Sequence, residues 1–291
     1  MRWRALGAAV LIVLATAGTS AGRAREAVAA PPPGYPISGI DVSHWQGTIN
    51  WSQVAASGRK FAYAKVSEGM DYADPRYAAN RTAARAAGIK FGGYHYARPE
   101  EGNPRGQADR LIDLGGYPTG RQEPAQIDSM LPPMLDIEWP WEGGALDPCY
   151  KLTPNAMVAW ISEFVDQVRR RTGQPTMIYT NVNWWNPCTA NSTAFGSQPL
   201  FVARYNTSPG TMPAGWTSWT IWQYTNNENV SGVAGGVDGD VFNGDAAAFS
   251  GLTRRELSPP SSVRSPVPGG ADPCSGYRTT RCPTPSPATG G

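Results

Sequence analysis

Short apolar or alternating runs recur along the chain from residue 37 to 246. They are SGIDVS (38–43), FAYAKVS (61–67), KFGGYHYA (90–97), PPMLDIEW (132–139), TMIYTN (176–181), LFVARYN (200–206), WTIWQYT (219–225) and VDGDVF (237–242). Runs of this length bounded by turn residues predict eight strands. Helix signals separate the early ones. Pro75 opens an Ala- and Arg-rich stretch that ends at Gly88, and Pro104 opens a second that runs to Leu114. Thr153-Pro154 caps a third, in which Met157, Trp160, Ile161, Phe164, Val165 and Val168 form one apolar stripe that stops at Gly173. A short turn is expected near Trp51–Ala56. The gaps 182–199, 207–218 and 226–236 are rich in Asn, Pro, Gly, Ser and Thr and show no helical stripe. Eight strands with helices missing in the second half predict an α/β fold, a TIM-like barrel. An open doubly wound sheet would want a Gly-rich phosphate loop after an early strand, and the sequence has none.

The two ends do not share this pattern. Met1-Arg2-Trp3-Arg4 precedes an apolar run from about Ala5 to Ala17 and then small residues, the layout of a secretory signal. Thr19-Ser20-Ala21 and Ala27-Val28-Ala29 both fit a cleavage site, and the second is favoured. The apolar run is too short to span a bilayer. From Glu256 onward Pro, Ser, Gly and Thr dominate without hydrophobic periodicity, which predicts a flexible arm. The expected division is a signal at 1–29, a catalytic barrel at 30–251 and a tail at 252–291. Export puts the four cysteines in an oxidising compartment. Of the three pairings four cysteines allow, Cys149–Cys188 and Cys274–Cys282 are expected.

The chain has 291 residues, 41% of them hydrophobic, and a formal net charge of +2. That charge is uneven: residues 1–30 carry four Arg and one Glu, and 252–291 carry five Arg, Glu256 and Asp272, so each end is net +3. The middle is then net −4, which excludes a basic nucleic-acid footprint on the folded part. Eleven Trp, twelve Tyr and seven Phe exclude a wholly disordered chain. With no Cys-x-x-Cys spacing and only His44 and His95, a zinc site built by the protein is not expected, and no cofactor is implied. The expectation is a secreted, extracellular monomer with no nucleic-acid partner and, once the signal is removed, no membrane partner.

In such barrels chemistry sits at the C-terminal ends of the strands. The first strand there offers Asp41, the fourth Asp136 and Glu138, and the eighth Asp238 with Asp240 two further on. Alternation puts Asp136 and Glu138 on one face of MLDIEW, with Ile137 on the other. Two carboxyls crowded at a barrel mouth cannot both stay ionised cheaply, so one stays protonated near neutrality and can protonate a leaving group. Asp240 and Asp245 read instead as turn or cap residues. Tyr94, Tyr96, Trp139, Tyr179, Trp184, Trp185, Trp222 and Tyr224 lie at or just past strand ends, where aromatic faces can pack on sugar rings. Trp45, Trp51 and Trp219 are assigned to packing. His95 follows a strand-end tyrosine and either bonds substrate or is satisfied internally; His44 lies three residues past Asp41. Acids with aromatics in a secreted barrel point to glycan hydrolysis.

The ordered set GIDVSHWQGTINW, FAYAKVSEG, AGIKFGGYHYARP, PMLDIEW, MIYTN, LFVARYN, WTIWQYT and GVDGDVFNG resembles the glycoside hydrolase family 25 muramidases, the Chalaropsis-type lysozymes, in a secreted bacterial form. The resemblance spans about residues 37–246. It implies a barrel whose strands sometimes lack helices, acting on peptidoglycan glycan strands at the β-1,4 bond from N-acetylmuramic acid to N-acetylglucosamine. The family's carboxylate positions fall on Asp41, Asp136, Glu138 and Asp238. Glu138, furthest out on its strand, is assigned as the general acid. Asp136 is to orient the 2-acetamido group or stabilise an oxocarbenium-like centre, and Asp41 and Asp238 are to hold charge and geometry or position water. Two rival functions are a chitinase-type N-acetylglucosaminidase, whose strands also carry Asp-x-Glu, and a silent wall-binding module.

Overall fold

The computed structural model of the protein describes residues 30–120, 130–140 and 147–252. The expected signal, the tail from 253 and the 274–282 pair lie outside the described residues. Each of the eight predicted runs contains a strand: β1 (Ser38–Val42), β2 (Phe61–Glu68), β4 (Lys90–Tyr96), β5 (Met134–Asp136), β6 (Met177–Thr180), β7 (Leu200–Ala203), β8 (Ile221–Asn229) and β9 (Gly236–Phe242). A two-residue strand, β3 (Tyr72–Ala73), adds to the outer end of β2. The order β1-β9-β8-β7-β6-β5-β4-β2, with β1 also paired to β2, closes the barrel. Around the closed barrel every neighbour pair is parallel except those of β9, which runs antiparallel to both β8 and β1.

Strand alternation sorts the side chains into two cores. Phe61, Tyr63, Met134, Met177, Phe201, Ile221 and Phe242 point into the barrel and form one apolar cluster. Ile40, Val42, Ala62, Ala64, Leu135, Ile178, Val202 and Val241 point outward into a second, larger cluster shared with the helices. The barrel interior is narrow. A Cβ on Gly92 would stand 2.4 Å from the Tyr63 ring, so glycine there is what admits the tyrosine. Phe249 closes the lower end, packing on Phe61 and Phe242 with ring centroids 5.7 and 5.1 Å away.

The helices follow the capping chemistry of the sequence. They are α1 (Trp51–Ala56), α2 (Tyr77–Ala86), α3 (Pro104–Gly115), α4 (Pro154–Thr172), α5 (Val182–Thr189) and α6 (Ala246–Leu252). Thr153 accepts from the Ala156 amide at 3.3 Å, Pro154 occupies the first turn, and Gly173 at φ 67° ends α4 in a left-handed cap. The whole stripe from Met157 to Val168 is buried. Asp245 caps α6 through the Ala248 amide at 2.8 Å, the role expected of it. No helix among the described residues is long and apolar enough to cross a membrane.

The helix-free reading of 182–199 is corrected by α5, which carries Pro187 inside it. Eight residues are too few to display a stripe, and tertiary contacts hold this turn instead. Trp184 and Trp185 are fully buried, Trp184 Nε1 donates to the Pro148 carbonyl at 2.9 Å, and Cys188 is bonded to Cys149. Burial also removes both tryptophans from the list of sugar-facing candidates.

The disulfide bridges a sequence separation of 39 residues, so breaking it releases a long loop in the unfolded chain. Replacing both Cys149 and Cys188 by Ser is expected to lower the unfolding free energy by about 2–4 kcal/mol. Denaturant titration measures this; an unmoved midpoint would show that the loop is already held by packing alone.

Candidate active site

A cavity of about 610 Å³ opens at the end of the barrel where the parallel strands finish. Asp41, Asp136, Glu138 and Asp238 all line it. Asp41 comes from β1, and its cross-strand partner is Asp238. Asp238 reaches the mouth for a reason not foreseen: it lies near the start of β9, and β9 is reversed, so its first residues meet the ends of the others. Asp136 closes β5 between Tyr96 of β4 and Tyr179 of β6. Glu138 lies two residues beyond, on the same face. Its position is set by the backbone around it, since Tyr150 donates to its carbonyl at 2.9 Å and Tyr96 donates to the carbonyl of Trp139.

Alternation decides which aromatic candidates join the acids. Tyr94, Tyr96 and Tyr179 face inward and line the cavity. Trp222 and Tyr224, on either side of inward-facing Gln223, face outward and pack in the outer core, which corrects their assignment to substrate. His95 is corrected for the same reason. It sits between two inward tyrosines, is fully buried on the outer face, and hydrogen-bonds Ser67 Oγ and Gln107 Oε1, each at 2.9 Å. Burial presses its pKa down to about 4, so it stays a neutral, internally satisfied imidazole. Trp139 is partly exposed beside the site and is not among the cavity's lining residues. Trp51 and Trp219 are buried as expected, but Trp45 is not a packing residue: it is 77% exposed on the cavity rim, against the His44 ring at 4.6 Å. His44 also lines the cavity, its Nδ1 held by Asp74 at 3.1 Å and the Tyr72 hydroxyl at 2.8 Å.

Several lining residues were not found from sequence. Gln223 donates from Nε2 to Asp41 Oδ2 at 2.6 Å, and its Oε1 accepts from the Tyr179 and Tyr205 hydroxyls, each at 2.9 Å. The two hydroxyls fix which end of the amide faces the acid. Lys65 points inward at the mouth, paired with Glu68 at 2.5 Å and 4.7 Å from the centre of the Tyr96 ring. Arg98 holds the other Glu68 oxygen at 2.8 Å. Alternation in FAYAKVSEG does signal Lys65, because it shares a face with Phe61 and Tyr63; no local pattern signals Gln223 or the exposed Tyr205.

The carboxyls titrate far from their usual range, chiefly because burial penalises the charged form. Glu138 is pushed up to about 7 by burial and by Asp41, with Lys65 opposing. Asp41 is raised to about 6 by burial, restrained by the Gln223 hydrogen bond. Asp238 is raised to about 9 by burial and by the charges of Asp41 and Glu138. Asp136 is pushed up by burial and then by Glu138, against the pull of Lys65. At neutral pH the mouth therefore holds protonated and ionised carboxyls side by side, the requirement for acid-assisted cleavage of an acetal.

The family profile described as Glycosyl hydrolases family 25 matches residues 40–233. The chain belongs to that family. Among its relatives is Lysozyme M1 of Streptomyces globisporus, 42% identical over 217 residues that cover 74% of this chain and 71% of that one. N,O-diacetylmuramidase of Chalaropsis sp is 36% identical over 213 residues, covering 71% and 96%. The bacterial lysozyme structure from Streptomyces coelicolor superposes with a TM-score of 0.69 at 41% identity, covering 75% of this chain and 96% of that one. The matched span of this family 25 chain holds Asp41, Asp136 and Glu138, and Asp238 lies just beyond it.

These raised pKa values carry a stability consequence. Asp238 ionises near its usual value when unfolded but only about pH 9 when folded, so between those values the folded state binds the extra proton. Stability is therefore full in acid and declines as pH rises toward 9. Asp238→Asn removes that decline: at pH 8 its Tm is expected above that of the native protein, with the gap closing by pH 4. A gap that stays constant with pH would show that Asp238 is not the group responsible.

Proposed function

We propose that this family 25 hydrolase is a muramidase, cleaving the β-1,4 bond from N-acetylmuramic acid to N-acetylglucosamine in peptidoglycan. One observation carries the reading: a carboxyl poised near neutrality, Glu138, shares a cavity and a strand face with Asp136, in a chain whose relatives are named lysozyme and N,O-diacetylmuramidase. Glu138 is the outermost acid and gives its proton to the glycosidic oxygen. Asp136, deeper on the same face, meets the 2-acetamido group and the positive charge that develops at the anomeric carbon. Asp41 and Asp238 set the charge and geometry on the opposite wall, with Asp41 as the ionised member. Tyr94, Tyr96 and Tyr179 offer ring faces and hydroxyls, and exposed Trp45 and Tyr205 rim the cavity as stacking surfaces. The protein acts outside the cell as a monomer, with the basic tail near anionic wall polymers.

Glu138→Gln is expected to reduce lysis about 10²–10⁴-fold, the usual contribution of a positioned general acid. Native activity should fall as pH rises through about 7, where Glu138 loses its proton, and that limb should vanish in the variant. Digestion of purified cell wall beside chitin, with identification of the new reducing end, tests the substrate. Muramic acid ends from wall alone support the proposal. Release of N-acetylglucosamine ends from chitin would favour the chitinase reading, and binding without new ends a silent module.

A further inference from the structure

One titratable group in the barrel has no part in the mechanism above. Asp240 lies on β9 two residues past Asp238, on the inward face, opposite Gly39 of β1 and Gln223 of β8. It was read from sequence as a turn residue; instead it is a strand residue with 0% exposure, one layer below the catalytic mouth. Neither of its oxygens receives an N–H or O–H donor among the described residues. Diagonally across the β9–β1 pairing, on the same inward face, lies another carboxyl, Asp41, to which it is electrostatically coupled.

Two ionised carboxylates are both acceptors and repel each other, so a hydrogen bond between them requires one shared proton. The surroundings decide which group holds it. Asp41 accepts a short hydrogen bond from Gln223 Nε2 and opens on the solvated cavity. Asp240 has neither. The ionisable groups whose charges reach it are Asp41 from β1, Asp238 on its own strand, the Tyr63 hydroxyl from β2, and, from the outer side of the sheet, Glu228 with Tyr224 of β8. All are acidic or neutral, and the nearby cation, Arg59, is engaged by Glu228. Burial and these neighbours push the Asp240 pKa well up.

We infer that Asp240 is a positioning residue for this site: its carboxyl keeps its proton and donates a hydrogen bond to Asp41, holding that group ionised and fixed in place. Asp41 is then gripped from two sides, by the Gln223 amide and by an acid that acts as a hydroxyl donor. The same proton spares the barrel a second buried charge. This inference rests on the reading that Asp41 works as a carboxylate, and the experiment separates the two.

The pH dependence of kcat/KM on soluble glycan strands is measured for the native protein, Asp240→Leu, Asp240→Asn and Asp41→Asn. Losing the donor in Asp240→Leu should move the acid limb up by about one pH unit, a roughly tenfold loss at pH 5. Asp240→Asn still offers an N–H donor and should restore the native limb. An acid limb unmoved in folded Asp240→Leu, or moved as far in Asp240→Asn, overturns the inference. Carbon-13 NMR of protein labelled at the aspartate carboxyls gives a readout that needs no Leu variant. The resonance lost in Asp240→Asn should keep a neutral-acid shift from pH 5 to 7, and an ionised shift at pH 6 overturns the inference. Native-like activity in Asp41→Asn would instead remove the Asp41 reading on which it rests.

Discussion

The antiparallel pairing of β9 with β1 is the contact on which the site depends. It closes the barrel, and by reversing one strand it brings the first residues of β9 to the end where the other strands finish. Asp238 and Asp240 therefore stack beside Asp41 although they stand almost two hundred residues away in sequence. A parallel eighth strand would have placed the same two acids at the lower end, in the layer of Phe61. There they would meet only apolar neighbours, at a cost of several kcal/mol each.

Closure also supplies the low-dielectric surroundings that make these acids useful. Burial is the first cause of every carboxyl shift here; neighbouring charge is second for Asp136, Glu138, Asp238 and Asp240, and the Gln223 hydrogen bond is second for Asp41. The barrel answers with neutral donors more than with cations. Gln223 is clamped by two tyrosine hydroxyls so that its N–H faces Asp41, and Tyr96 and Tyr150 act on backbone carbonyls next to Glu138. Lys65 is the cation that enters, and its charge is shared with Glu68. A bare lysine against Asp136 and Glu138 would hold both ionised, leaving no proton to donate. Glu68, whose negative charge pushes Asp136 up, tempers that pull.

The strands and four of the lining acids were legible in the sequence because period-2 patterning and strand-end placement are local signals. Alternation could have been carried further. His95 lies between Tyr94 and Tyr96, so at most one set can face the cavity, and Trp222 and Tyr224 share the parity that excludes Gln223 from the outer core. What local reading could not supply was the parity of one strand relative to another, which is fixed by register across the closed barrel. The same limit hid the direction of β9, and with it the burial of Asp240 inside a segment that reads as a turn. α5 was missed because its stability comes from buried Trp184 and Trp185 and from a disulfide. Trp45 was misplaced because a large aromatic in a strand-to-helix loop carries no sign of which side it faces.

The formal charge of the folded segment also changes meaning in this light. Asp41, Asp136, Glu138 and Asp238, four of the acids behind its −4, line one cavity, and a fifth, Asp240, is buried one layer below. Were all five ionised, the mouth would repel a polymer that carries carboxylates of its own. Burial pushes the pKa of all five up, that of Asp238 to about 9, so the field at the entrance is weaker at pH 7 than the count implies. Under the proposed function, protonation serves approach as well as catalysis: the burial that raises the Glu138 pKa also lowers the electrostatic barrier to an anionic substrate.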